Sequence, residues 1–357
     1  MAAVTPLESP YLLSPGEAEP AALPLMLEAR GDRDLGRLCA WLRARPDWVQ
    51  AQLTRNGAIL FRGFDVPDAR AFERLARAVD DDLKNEYLGT SPRSGLTDHV
   101  FTASELPGYY PIPQHCEMSF TRQPPRRVFF CCLVEPAAGS GETPLADFRK
   151  VWRDLAPDLR ERFEKGGIRI VRNYGGPEGG GRFNLFQLKR WDEMFLTTDR
   201  GAVEATCIRE GFEPHWLPGG KLRLVSSQAV TKRHPVTGET VWHNHLTTFH
   251  LAAAPAEYQR IFGLRPSLRS FAFWQLTRAL AAMQRATKAS DDMAMHCTYL
   301  DGSEIPDADV EAVLDLVWKH MVVVPWRKGD VVAIDNHAVS HGRLPYAGPR
   351  EIAVCWA

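Results

Sequence analysis

The sequence predicts a mixed fold, mainly β, with helices flanking a strand-rich body. Two observations carry this. Short apolar runs bounded by glycine or proline recur along the chain, as buried strands do. Helical periodicity is confined to brief stretches that bring their own capping residues. The length of 357 residues suits one large all-β or mixed domain, or two modest ones, each able to bury a substantial core.

Residues 1–50 read as an N-terminal arm, and its first 30 residues, rich in Ala, Pro and Glu, lack sustained periodicity. The run GAILFRGF (57–64) is an apolar strand between glycines, and PDARAFERLARAV after it is a helix that Asp68 caps, with Ala71, Phe72, Leu75 and Val79 as its apolar stripe. RRVFFCCLVEPAAGSGETPLADF gives a hydrophobic strand, a Gly/Ser turn and a second extended piece, the pattern of a hairpin. From Asp147 a helix is expected, interrupted near Pro157 and ended by a glycine pair, before IRIVRNY returns to strand. Residues 173–250 mix glycine turns, short strands and aromatics around one helical stretch, DRGAVEATCIREGF, which suits an insertion over a pocket better than a separate domain. Asp307 can cap ADVEAVLDLVWKH, and the tail supplies strands around a loop.

Composition excludes several classes. Lys plus Arg total 43 against 44 Asp plus Glu, so no basic excess gathers nucleic acid or anionic lipid. The first basic residue is Arg30 and no apolar run approaches a membrane span, so neither a secretory n-region nor a transmembrane helix is expected, and a cytoplasmic location follows. Seven scattered cysteines without Cys-x-x-Cys spacing suit reduced thiols and argue against structural zinc.

The chemistry-bearing stretch is PIPQHCEMSF (111–120), where His115 and Glu117 stand two positions apart. On an extended strand such residues share a face, so imidazole and carboxylate can reach one ion. DVVAIDNHAVSHGR in the tail adds His341. His-x-Glu with a distant His is the ligand set of a two-histidine, one-carboxylate facial triad, which holds non-haem Fe(II) on one face and leaves the other open. Nine residues on, Arg350 opens the last strand with a guanidinium suited to a carboxylate. His243 and His245, with His250 nearby, are more simply pocket-lining groups than a second metal site, and His337 supports the loop.

From GAILFRGF through His-x-Glu to DNHAVSHGRLPYAGPRE, the chain resembles the taurine dioxygenase and clavaminate synthase-like family of Fe(II)- and 2-oxoglutarate-dependent oxygenases. WLPGGKLR, RHPVTGE and VWHN are similar to the branch that contains the syringomycin-pathway aspartyl hydroxylase. The resemblance implies one domain over 1–357 with a double-stranded β-helix (jelly roll) core, flanking helices and a lid at about 173–250 over the active site. It implies His115, Glu117 and His341 as iron ligands and Thr143 and Arg350 as the residues that hold 2-oxoglutarate, with O2 as the second cosubstrate. Glu117 stands where many relatives have Asp. Glu351 stands where others have a second basic residue, which makes Arg343 the fallback for the clamp.

The implied reaction is hydroxylation of an unactivated C–H in an amino acid or amino-acid-derived substrate, free or tethered to a carrier protein, in natural-product biosynthesis. Desaturation, epoxidation or cyclisation are the alternatives within the same chemistry, and a non-catalytic metal-binding β-barrel is the alternative outside it. The retained carboxylate of Glu117 disfavours halogenation. Arg182, Asn184, His243, Asn244 and His245 are the expected substrate contacts. No nucleic-acid or membrane partner is expected.

Overall fold

Residues 12–13, 22–89, 93–177 and 190–357 are described by the computed structural model. Its central sheet has seven strands, in the order Leu12–Leu13, Leu25–Glu28, Ala58–Arg62, Val331–Asp335, Arg127–Val134, Glu351–Trp356 and Phe101–Thr102. The inner strands are apolar on both faces because both faces are covered. Leu60, Phe130, Val332 and Val354 point into one core, while the alternate residues Phe61, Phe129, Val331 and Ala353 point into another. This period of two is the strand pleat itself.

Three helices build the second core: Leu35–Arg43, Pro46–Asn56 and Ala69–Val79. As expected, Asp68 caps the third by accepting from Ala71 N at 2.9 Å. The first two lie within or next to residues 1–50 and correct the reading of that stretch as an arm. Asp34 accepts from Arg37 N at 2.7 Å, Pro46 opens the second helix, and Leu35, Leu38, Leu42, Val49 and Leu53 are buried. Their burial against the sheet adds to a sequence already rich in the helix formers Leu, Ala, Arg and Gln.

A four-stranded sheet, Met321–Val322, Leu145–Asp147, Val339–Arg343 and Ile112–His115, faces the first core. Its composition corrects the hairpin expected after residue 127. Arg127–Val134 pairs with Val331–Asp335 and Glu351–Trp356, whereas Leu145–Asp147 pairs with Val339–Arg343 and Met321–Val322. The turn between them carries the chain from one sheet to the other instead of folding it back.

A third sheet orders Met295–Thr298, Ile168–Tyr174, Lys221–Gln228 and Phe212–Leu217. The segment 173–250 is therefore more regular than its sequence suggests, and it shares this sheet with strands that lie largely or wholly outside it. The helix expected in it is Arg200–Glu210, capped by Asp199, with two short helices, Trp191–Phe195 and Leu246–Phe249, besides. Asp307 begins the helix Asp307–Lys319 but binds Arg285 rather than capping. Helix occupies more of the described chain than strand, so the fold is mixed rather than mainly β. All seven cysteines are free and buried. Among the described residues no helix is long and apolar enough to cross a membrane.

Candidate metal centre

Strand pairing brings the two histidines together. His341 lies directly opposite His115 across the pair Val339–Arg343 and Ile112–His115, and their ring centroids are 4.5 Å apart. Gln114 ties this edge down, accepting from Ser340 Oγ at 2.7 Å and donating to Pro144 O at 2.9 Å.

Glu117 arrives differently from the sequence expectation. The strand ends at His115, and Glu117 opens a turn that continues through Met118, whose φ is +51°. The turn, not the strand pleat, swings the carboxylate back, leaving Oε2 3.7 Å from His341 Nε2. Ligand atoms of His115, Glu117 and His341 all lie within 4.8 Å of one another.

Two residues that the sequence did not single out hold Glu117. Asn336 is fully buried. Its Oδ1 accepts from Glu117 N at 2.7 Å, and its Nδ2 donates to Glu117 O at 3.0 Å and to Pro125 O at 2.8 Å. Arg93 donates to Glu117 Oε2 at 2.8 Å. Burial alone would raise the Glu117 carboxyl, but the Arg93 charge, together with His341 and His115, holds it well below the usual carboxylate range. Burial, reinforced by the neighbouring His341, lowers His115 to about 4. At neutral pH the site thus presents a neutral His115 imidazole beside an ionised Glu117 carboxylate.

Asn336→Ala is expected to leave the buried Glu117 backbone groups unpaired, at about 1–3 kcal/mol each. Denaturant unfolding should register this loss, and metal affinity should fall with it because the turn is no longer fixed.

Proton positions separate this triad from a second cluster of donors. His115 Nδ1 lies 2.8 Å from Pro113 O, a carbonyl that can only accept, so Nδ1 carries the proton and Nε2 is free to bind an ion. His250, His296 and Glu304 also lie within 4.8 Å of one another. There the Nδ1 atoms of His250 and His296 accept from the backbone N–H of Ala252 and Leu251. Their Nε2 atoms are consequently protonated in the neutral rings, and His296 Nε2 donates to Glu304 Oε2 at 2.9 Å. This is a hydrogen-bonded cluster, and a metal would have to break it.

Thr143 lies two residues before Leu145, which pairs with His341. Its Oγ1 accepts from Trp326 Nε1 at 3.1 Å and from Arg350 at 3.4 Å. The hydroxyl proton is left to donate to an incoming carboxylate. Arg350 donates through Nε to Gly141 O at 2.7 Å and forms no ion pair with a carboxylate among the described residues. Burial, then the nearby Arg343 charge, lowers it to about 10. Gly141, at φ +64°, allows this approach: a Cβ there would sit 3.0 Å from Arg350 Cδ.

Arg343 has a different task. It donates to the carbonyls of Leu106, Pro107 and Tyr110, so both terminal nitrogens of its guanidinium hold a loop.

The expected substrate contacts divide. His245 sits beside the triad, its ring 5.4 Å from that of His115 and its Nδ1 2.6 Å from Ser119 Oγ. His243 packs instead toward His337, at 6.2 Å, and burial lowers it to about 3. Asn244 holds a turn, with Nδ2 donating to Val230 O and Oδ1 accepting from Leu246 N. Arg182 and Asn184 lie outside the described residues.

Residues 18–356 match the model of the taurine catabolism dioxygenase TauD, TfdA family. The dapdiamide synthesis protein DdaC of Enterobacter agglomerans is 29% identical over 302 residues, 85% of this chain and 82% of that protein. A clavaminate synthase-like protein of Arabidopsis thaliana is 28% identical over 321 residues, 87% and 84% of the two chains. The crystal structure of PvcB from Pseudomonas aeruginosa superposes with a TM-score of 0.52 at 13% identity, covering 100% of this chain and 94% of that one, a likeness of fold. The chain belongs to the TauD/TfdA family and is a 2-oxoglutarate-dependent, non-haem iron dioxygenase.

Proposed function

We propose that the protein hydroxylates an unactivated C–H of an amino acid or amino-acid-derived substrate, free or carrier-tethered, in natural-product biosynthesis. The observation that carries this is the triad itself, in which a free His115 Nε2, an ionised Glu117 and His341 converge within 4.8 Å. Two imidazoles and one carboxylate fit Fe(II). His115, Glu117 and His341 would hold it, and the iron with 2-oxoglutarate and O2 supplies the oxidising equivalent for C–H cleavage.

This chain's own residues do the rest. Arg350, without a carboxylate partner, pairs with the distal carboxylate of 2-oxoglutarate, and Thr143 donates its hydroxyl proton to the same cosubstrate. Arg93 and Asn336 keep the Glu117 carboxylate ionised and oriented. His245, buried and held well below its usual pKa first by burial, is a neutral hydrogen-bonding wall beside the substrate. The seven- and four-stranded sheets are the two halves of a jelly roll, and the third sheet is its lid. The seven unpaired thiols suit a reducing cytoplasm. A relative named for dapdiamide synthesis supports a biosynthetic role.

The test is succinate release by Fe(II)-loaded enzyme across free amino acids and their carrier thioesters, with a ~16-dalton gain in the product as the mark of hydroxylation. Substrate-dependent succinate with that gain is expected. Succinate only with a sulfonate, lipid or nucleobase contradicts the substrate reading.

A further inference from the structure

Arg172 stands in the strand Ile168–Tyr174, paired with Leu224 on one side and Met295 on the other. It is 0% exposed, and among the described residues Nε and both terminal nitrogens make no hydrogen bond of good geometry, although the Tyr174 hydroxyl lies beside the guanidinium. Among the described residues no carboxylate forms an ion pair with it. Its guanidinium lies between two aromatic faces, 4.2 Å from the Phe120 centroid and 4.7 Å from that of Phe212. Such faces attract a cation, but they do not replace the water that five N–H groups lose on burial. A buried charge without a counter-ion is strongly destabilising, so one that is kept points to an anion that arrives later.

The surroundings say where that anion belongs. Residues 168, 170, 172 and 174 share one face of the sheet, and Ile168, Ile170 and Tyr174 lie in the core that also holds Cys116, Met118 and Phe120. Tyr174 Oη, next to the guanidinium, and Ser226 Oγ are likewise buried with no hydrogen bond of good geometry among the described residues. Ser226 pairs in register with Ile170 and Phe212, which puts its hydroxyl on the same face. The ring of His245 also packs against Phe120, 4.8 Å from its centroid, and stands 5.4 Å from that of His115. Phe120 and His245 therefore link the guanidinium to the triad through ring contacts, and two buried hydroxyls share the face on which the guanidinium lies.

We propose that Arg172 is the substrate's carboxylate-binding residue, with Tyr174 and Ser226 as accompanying donors, and that the substrate carries a free carboxylate. This rests on the amino-acid oxygenase reading and narrows it: a carboxylate is recognised as an acid, and a substrate whose every carboxyl is an amide or thioester is not. The site is distinct from the 2-oxoglutarate clamp, because Arg350 lies with Thr143 and Gly141 whereas Arg172 belongs to the third sheet.

Wild type and Arg172→Met, each loaded with Mn(II) and saturating 2-oxoglutarate so that the Arg350 site is filled, are compared by melting temperature. Without further ligand, Arg172→Met is expected to melt at or above wild type, since it removes an unpaired buried charge; a fall of several degrees would show the guanidinium to be a structural element and overturn the proposal. Both proteins are then titrated with the twenty free amino acids and their C-terminal amides. At least one acid should raise the melting temperature of wild type, binding at least tenfold tighter than its amide, and Arg172→Met should lose that preference with unchanged 2-oxoglutarate affinity. If no acid shifts wild type, or acid and amide bind alike, the proposal is wrong. The two readings fail separately. Arg172-dependent binding of an acid without succinate formation upholds the anion site and removes the oxygenase substrate reading. Equal succinate from acids and amides, unchanged in Arg172→Met, removes the anion site and leaves the oxygenase reading standing.

Discussion

His115→Ala and His341→Ala are each expected to abolish stoichiometric Fe(II) binding and turnover. The two rings face each other across one antiparallel pair, and with Glu117 they supply every protein donor of the triad. Loss of a supporting partner behind a metal ligand costs roughly 10–100-fold in affinity, and loss of a ligand itself should cost more. Calorimetric titration of the anaerobic protein reads this directly. The fold should survive, because each substitution removes a side chain from a polar site and leaves both apolar cores intact. A variant that stays folded, binds one equivalent of iron and turns over at the wild-type rate would show that the ligand was misassigned.

The second large effect falls on 2-oxoglutarate. Arg350→Lys replaces a planar fork by a point charge and is expected to weaken 2-oxoglutarate by about 1.5–3 kcal/mol, roughly 10- to 150-fold, with iron affinity nearly unchanged. Arg343→Lys should behave in the opposite way. Its three carbonyl partners predict lost stability and a normal 2-oxoglutarate affinity. Paired measurement of the 2-oxoglutarate KM and the unfolding midpoint separates the two; an Arg343→Lys variant with the KM defect would reverse the assignment of the clamp.

The clustering of His115, Glu117 and His341 was legible because two imidazoles and a carboxylate form a chemically narrow set. His-x-Glu and a later His point to one kind of ion whatever the route by which they meet, and the route was misjudged, since a turn rather than a strand delivers Glu117. The residues that hold the site were less visible. Asn336 acts on Glu117 across 219 positions of sequence, and Arg93 across 24, distances over which a linear pattern carries no information. The hairpin after residue 127 failed for a related reason: a strand, a glycine turn and a second strand do not reveal that the second strand joins another sheet. Two signals were present and missed. Leu35, Leu38 and Leu42 stand at helical spacing behind Asp34, with Pro46 opening the next helix, which marks residues 35–56 as helical. In IRIVRNY, Arg172 occupies the position of an inward apolar residue, two after Ile170, and such a break in a buried alternation is itself a pointer to function. Arg182 and Asn184, chosen for polarity within a glycine-rich stretch, had no comparable constraint behind them.

The account stands or falls on where the metal sits. Crystals grown with Mn(II) and 2-oxoglutarate, measured for anomalous scattering, are expected to show one peak shared by His115, Glu117 and His341, with 2-oxoglutarate reaching from it toward Thr143 and Arg350. A peak at His250, His296 and Glu304, or a triad that stays empty at saturating metal, would contradict it.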